Sequence, residues 1–199
     1  MLKPRYRYNW LRGWVTVDGF KWYVRGTNFS MHHEDWLRKE VDLSGDLFVD
    51  VGAHIGTWAI RASRTFKRVV AFEAVTKWSM TLQKNAEANS IHNIETHNVT
   101  ISSNESGKNI RTLDSYALSP SMVKIDAEGS EYEVLKGAAT TLKQSQPRLV
   151  IETHTDELAV SVKRLLKDYG LSVKEIVRVN RWGYSQHWLV TPHNQEPET

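Results

Sequence analysis

The sequence predicts an α/β fold: a mostly parallel, seven-stranded sheet with helices on both faces, preceded by a short N-terminal β-hairpin. Three observations carry that expectation. From Asp46 onward, short apolar runs alternate with stretches of helical periodicity, the order that builds a parallel sheet covered by crossover helices. The apolar run LFVDV at 47–51 passes straight into Gly52 and Gly56, four residues apart, as a tight strand-to-helix turn requires. Residues 14–25, WVTVDGFKWYVR, alternate apolar and polar on both sides of Asp18-Gly19, a dipeptide that closes tight hairpins.

The 199 residues suffice for one hydrophobic core. Residues 1–43 are read as a basic arm, the hairpin and a lead-in helix, 44–192 as the main domain, and 193–199 as a polar tail. Within the domain, 47–51 is a buried central strand followed by a helix over 57–64, and RVVAFEA at 68–74 is the second strand. Trp78, Leu82 and Ala86, spaced by four, mark a one-faced helix over 76–89. A third strand is expected at 94–101, then a polar excursion over 102–120 punctuated by Asn, Gly and Ser. MVKID at 122–126 is the fourth strand, and Val134, Leu135, Ala138, Ala139 and Leu142 line one face of a helix over 131–143. After Pro147, 148–153 gives strand five. The helix over 156–169 then turns Leu158, Val162, Leu165, Leu166 and Tyr169 inward, and Gly170 stops it. Residues 173–179 and 187–190 are the last two strands, joined by a loop containing Arg181-Trp182-Gly183.

Composition excludes several classes of function. With no cysteine there are no disulfides, thiolate nucleophiles or thiolate metal ligands. No run of eighteen apolar residues exists, so no membrane span is expected, and the N-terminus lacks the apolar core of a signal peptide; a cytoplasmic location is the expectation. The formal charge of +3 is concentrated at one end, where Lys3, Arg5, Arg7, Arg12, Lys21 and Arg25 face a single acid, Asp18, within residues 1–25. Interleaved with Tyr6, Tyr8, Trp10 and Trp14, these cations suit a nucleic-acid backbone with stacked bases; they suit equally a solvated arm whose aromatics pack on the domain.

In an open α/β sheet, ligands gather at the carboxyl ends of the strands, where strand order reverses. Strand one ends in Asp50 and the loop VGAHIG, and strand two ends in Glu73, an acid placed to accept hydrogen bonds from both hydroxyls of a ribose. These two features also fit a nicotinamide dinucleotide, and the loop alone also fits a turn without a ligand. A pyrophosphate, however, favours the tighter G-x-G-x-x-G spacing and no nearby carboxylate. The spacing Gly52-x-x-x-Gly56 with Asp50 before it suits S-adenosylmethionine, which carries a ribose, an ammonium and a sulfonium but no phosphate.

VDVGAHIGTW (49–58), VVAFEA (69–74), RTLDSY (111–116), VKIDAEGSEYEVLKGA (123–138) and PRLVIETH (147–154), taken in this order, resemble the FkbM family of methyltransferases. The resemblance covers about residues 44–190, and K-I-D-A-E-G-x-E-x-x-V-L-x-G-A is its most specific element. It implies a Rossmann-like methyltransferase fold, S-adenosylmethionine as donor, and an oxygen acceptor on a sugar, glycan, polyketide or other small hydroxylated compound. The chain departs from the family in being compact between strands three and four. On the family's pattern Asp50, Gly52, His54, Gly56 and Glu73 contact the cofactor, with their neighbours Ala53, Thr57 and Ala74; Asn98 and Val99 lie at the adenine, and Asp126 beside the transferred methyl. His54 and Asn98 have the alternative of bonding only local backbone.

Asp126, Glu128, Glu152 and His154 are the candidates for the base, because they stand at or just past the ends of strands four and five. His154 is the one whose ordinary pKa lies near neutrality. Asp126, Glu152 and His154 also make a candidate set of ligands for a hard divalent ion, although no metal is expected. Glu128 and Glu131 have the alternative of serving the first turn of the next helix. Asp114 is expected to be structural, bonding its own loop. A second function, methylation of an RNA ribose, would use the basic arm together with Asp126, Lys124 and Glu152, since Lys124 and Asp126 share a strand face.

Overall fold

The computed structural model describes residues 12–25, 34–181 and 184–191. Tyr6, Tyr8 and Trp10 of the basic arm, Trp182 and Gly183, and the polar tail lie outside them. In chain order the elements are β1 (Arg12–Val17), β2 (Phe20–Arg25), α1 (Asp35–Glu40), β3 (Gly45–Val51), α2 (Ala59–Ala62), β4 (Phe66–Phe72), α3 (Thr76–Ala88), β5 (Ile94–His97), β6 (Thr100–Ile101) and β7 (Ile110–Arg111). There follow β8 (Met122–Ile125), α4 (Glu131–Lys136), α5 (Ala139–Ser145), β9 (Arg148–Thr153), α6 (Asp156–Asp168), β10 (Lys174–Arg181) and β11 (Tyr184–Thr191).

The large sheet runs in the order β10-β11-β9-β8-β3-β4-β5. Its five strands from β9 to β5 are parallel, and β11 joins β9 antiparallel with β10 antiparallel outside it. The chain builds outward from β3 through β4 to β5, then returns to lay β8 on the other side of β3. Strand order therefore reverses between β3 and β8, which places a ligand crevice at their carboxyl ends.

Two-residue alternation along the central strands sorts their side chains between the two faces. Val49, Val51, Val70, Phe72, Val123, Ile125, Leu149 and Ile151 bury against α4, α5 and α6 on one face. Phe48, Val69, Ala71, Met122 and Val150 bury on the other with Leu37, Trp58 and Leu82. By the same alternation Asp50, Lys124 and Glu152 belong to the second face, so three ionisable groups stand among apolar ones near the strand ends.

The hairpin is more than an appendage. Asp18 and Gly19 turn with φ of 54° and 73°, as a tight antiparallel connection requires. Val17, Phe20, Trp22 and Val24 bury against Ile55 and Ile60. Asn85 of α3 and Asn89 just past its end fasten β2 by its backbone: Tyr23 N–H donates to Asn85 Oδ1 at 2.6 Å, Lys21 N–H to Asn89 Oδ1 at 2.8 Å, and Asn89 Nδ2 returns a bond to Lys21 O at 2.7 Å.

Three expected elements differ from those found. The third strand ends at His97, where the Asn98 amide turns back onto the residues after β4, and Thr100–Ile101 pairs instead with Ile110–Arg111 as a separate two-stranded sheet. The single helix expected over 131–143 is broken at Gly137-Ala138, where the Ser102 carbonyl comes so close that a Cβ on Gly137 would stand 2.8 Å from its carbon atom. Asp114 is structural but does not bond its own loop: its two carboxylate oxygens accept from Thr140 N (3.0 Å) and Thr141 N (2.8 Å), capping α5. Among the described residues no helix is long and apolar enough to cross a membrane.

Candidate functional site

The glycine loop lies flush against the neighbouring strands. Gly52, at φ +75°, donates its N–H to Phe72 O at 2.9 Å, and a Cβ there would lie 2.8 Å from the Asp126 carbonyl carbon and nearer still to its oxygen. Gly56, at φ +92°, turns the chain into α2 against Leu82. Between them His54 also holds a left-handed backbone, φ 51°, so that its N–H donates to Glu73 Oε2 at 2.7 Å. Glu73 Oε1 accepts from Val75 N at 2.8 Å. One carboxylate thus ties the glycine loop to the turn after β4, and each of its oxygens keeps acceptor capacity for a diol. Burial raises the Glu73 pKa against the pull of these two backbone bonds.

The His54 ring packs 4.5 Å from that of Trp78, and burial, then the Lys124 ammonium, lower its pKa to about 4. It is therefore neutral at pH 7. Residues 51–58 contain no Lys or Arg, so a diphosphate would meet no cation in this loop, whereas a ribose would meet the Glu73 carboxylate.

The remaining cofactor candidates fall into two groups. Ala74 and Asn98 stand at the ends of β4 and β5; Asn98 Nδ2 donates to Glu73 O (2.8 Å) and Ala74 O (3.1 Å), and its Oδ1 accepts from Thr76 Oγ1 (2.7 Å). That amide is committed to local structure, and Val99 beside it is partly buried against the core. Asp50, Ala53 and Thr57 are buried and shape the loop from beneath. Asp50 is fully buried, its Oδ2 accepting from Ala59 N at 3.0 Å to start α2, while Oδ1 lies 3.7 Å from Lys124 Nζ. Burial raises its pKa to about 6, with Lys124 opposing.

At the ends of β8 and β9 the charged groups of the second sheet face converge. Lys124, 3% exposed, directs Nζ to Gly52 O at 3.2 Å and Asp126 Oδ2 at 3.3 Å. Burial alone would lower its pKa, but Asp126, Asp50, Glu34 and Glu152 outweigh that and hold the ammonium above its ordinary range. Glu152 is buried, and desolvation followed by the Asp126 and Glu34 carboxylates pushes its pKa well up.

Glu34 was not among the sequence candidates. It immediately precedes α1, is 6% exposed, and pairs with Arg38 at 3.4 Å. Its signal in the sequence is an acid four residues ahead of Arg38 at a helix start, which reads as an ordinary i,i+4 pair.

His154 stands just past β9. Its Nδ1 is 3.3 Å from Glu131 Oε1, as an ion pair rather than an aligned hydrogen bond, and its Nε2 is 3.5 Å from Glu128 and 3.8 Å from Asp126. Glu131, fully buried, also accepts from Ala127 N (2.9 Å) and Gly129 N (3.1 Å), and so shapes the turn after β8. Interaction with Glu131 raises the His154 pKa to about 9 against desolvation. The Glu131 carboxylate thus favours the protonated form of His154, which weighs against its taking a proton from an acceptor. Glu128, on a left-handed backbone, has an 89% exposed side chain and stands outside the crevice.

Asp126, Glu152 and His154 do not converge as one ligand set. Instead Asp126 is shared by two groups, each with oxygen or nitrogen atoms within 4.8 Å of one another: Asp126, Glu131 and His154, and Glu34, Asp126 and Glu152. His154 follows the end of β9, with its ring nitrogens toward Glu131, Glu128 and Asp126.

The sequence profile of the Methyltransferase FkbM domain matches residues 86–173. The chain is 31% identical to the hexuronic acid methyltransferase AglP of Haloferax volcanii, over 68% of this chain and 67% of that protein. A crystallised FkbM methyltransferase from Methylobacillus flagellatus superposes with a TM-score of 0.60 at 23% identity, over 75% of this chain. This chain spans only 44% of that one. TYW2 of M. jannaschii, crystallised in complex with AdoMet, superposes with a TM-score of 0.63 at 16% identity, over 89% of this chain and 84% of the other. These structures share the Rossmann-like methyltransferase fold.

Proposed function

The chain belongs to the FkbM family of methyltransferases, and from that premise we propose that it is an S-adenosylmethionine-dependent O-methyltransferase acting on a hydroxyl of a sugar or glycan. The observation that carries the donor assignment is the Glu73 carboxylate, tied to a glycine loop without cations. Glu73 would hold the ribose hydroxyls, Gly52 and His54 would line the loop side, and Ala74 and Val99 the adenine side. The hexuronic acid methyltransferase relative supports a sugar acceptor.

When bound, S-adenosylmethionine supplies an electrophilic methyl group, whose transfer forms an O–CH3 bond as the S–CH3 electron pair returns to sulfur. The chain's part is to align the acceptor and accommodate loss of its proton. Asp126 is the residue placed to touch the acceptor hydroxyl: its side chain keeps 24% exposure at the switch point, while Glu152 is buried behind it and Glu131 favours the protonated form of His154. Lys124 fixes the Asp126 carboxylate from beneath, and being charged it serves as an anchor rather than a base.

Incubation with methyl-labelled S-adenosylmethionine and a panel of hexuronic acid and neutral sugar acceptors tests this reading. The expected result is label on an acceptor oxygen, with Asp126→Asn slowing turnover by about a hundredfold or more while S-adenosylhomocysteine still binds. Label on nitrogen or carbon alone, or undiminished turnover in the variant, would refute it.

A further inference from the structure

We propose that Glu34, Asp126 and Glu152 form a divalent-cation site that presents the ion to the acceptor oxygen. The proposal rests on the reading of this crevice as the acceptor side of a methyltransferase and specifies how the acceptor is held there. Three separate segments deliver the ligands: the residue before α1, the residue after β8, and the end of β9.

The carboxylate oxygens lie within 4.8 Å of one another, a span that one ion bridges with metal–oxygen bonds of about 2.0–2.6 Å. An independent observation concerns Glu152. Its side chain is buried, 4% exposed, yet among the described residues it receives no hydrogen bond and no ion pair, and its carboxylate faces the other two acids. Asp126 Oδ1 is likewise sealed from solvent and accepts no hydrogen bond. Buried carboxylates are ordinarily paired, because an isolated one is costly.

The local charge points the same way. Glu34, Asp50, Asp126 and Glu152 bring four carboxylates to this end of the sheet, against Lys124, Arg38 and, 3.8 Å from Asp126, His154. Lys124 lies within ion-pair distance of Asp50 and Asp126, His154 of Asp126 and Arg38 of Glu34, whereas among the described residues no cation lies within 4.0 Å of the Glu152 carboxylate. A dication in this group would put a cation directly against that carboxylate. The second group, Asp126, Glu131 and His154, is a poorer ion site, because Glu131 Oε1 already takes two backbone N–H bonds.

An all-carboxylate set selects a hard ion of the magnesium or manganese kind, which retains open positions for other oxygens. A sugar fills two of them with neighbouring hydroxyls, or with a hydroxyl and a carboxylate. The bound hydroxyl then becomes more acidic. Its O–H bond breaks with the pair retained on oxygen, and the proton passes to solvent water.

The test is titration of the chelator-stripped chain with manganese(II) chloride, without donor or acceptor, followed by electron paramagnetic resonance of free manganese and by calorimetry. One ion per chain is expected, bound at least tenfold more weakly by Glu152→Gln and by Glu34→Gln. Glu157→Gln, which removes the same charge from an exposed site on α6, is expected to bind like the parent. Glu34→Gln lies outside the central sheet and serves as the second variant should Glu152→Gln lose its fold by circular dichroism. Absence of a saturable site in the parent chain, or equal affinity in folded Glu34→Gln and the parent, overturns the proposal. S-adenosylhomocysteine binding, measured on the same metal-free samples, separates its fate from that of the methyltransferase reading: loss of that binding alone refutes the donor site and leaves the ion site standing.

Discussion

Gly52→Ala tests how closely the donor loop and the acceptor side of the crevice are pressed together. Alanine at φ +75° costs about 1–2 kcal/mol in backbone strain alone. Its Cβ would also stand 2.8 Å from the Asp126 carbonyl carbon and closer to the oxygen, inside any tolerated contact, so β3 and the turn after β8 must part. Parting them strains the Asp126 N–H bond to Val51 O, now 3.0 Å, whose loss costs about 1 kcal/mol, and overpacking adds about 1–3 kcal/mol. The expected destabilisation is about 3–6 kcal/mol, a large share of the roughly 5–15 kcal/mol that holds a domain folded. Urea denaturation followed by circular dichroism measures it. Gly129→Ala is the control: φ is +100° but no atom lies within 4 Å of its Cβ, so only the strain of about 1–2 kcal/mol is expected. Equal losses in the two variants, or an unshifted midpoint for Gly52→Ala, would refute the reasoning.

Asp114→Ala removes both acceptors from the N-terminus of α5 and is expected to lower stability by about 1–2 kcal/mol in urea, without altering S-adenosylhomocysteine affinity. Asn85→Ala cuts the side chain that links Tyr23 N–H to Ile55 O; it should free the hairpin and speed amide exchange across β2, which unchanged protection would contradict. His54 carries the acid limb of stability. Its folded pKa of about 4 lies below the ordinary value of about 6.5, so its contribution is present above pH 6.5, falls as pH drops, and is lost below about 4. The difference corresponds to at most about 3 kcal/mol. A ring-proton NMR titration of the folded chain that showed His54 midpoint near 6.5 would contradict it.

Much of the fold was legible because the central strands announce themselves. Phe48 and Val49, or Met122 and Val123, are apolar on both faces, and glycine or a carboxylate closes each strand where the crevice opens. The candidate acids followed from that rule, since Glu73, Asp126 and Glu152 each stand at a strand end. What stayed hidden depends on contacts between distant segments. Glu34 reaches the crevice because Leu37 buries against the sheet and draws its segment over β8 and β9, and spacing alone carries no trace of that. The break at Gly137 falls where the Ser102 carbonyl, thirty-five residues earlier, closes on the chain, and the Asp114 cap needs α5 to begin beside it. The charge state of His154 depends on Glu131, which in the sequence reads as a helix-start acid.

The central claim is that Glu73 and the glycine loop bind the S-adenosyl donor. Calorimetric titration with S-adenosylhomocysteine, for the parent chain and Glu73→Gln, tests it most directly. The account requires one site per chain, weakened at least tenfold by the substitution, which is about 1.4 kcal/mol or more. A parent chain that binds no S-adenosylhomocysteine, or a folded Glu73→Gln that binds it as tightly as the parent, would contradict the account.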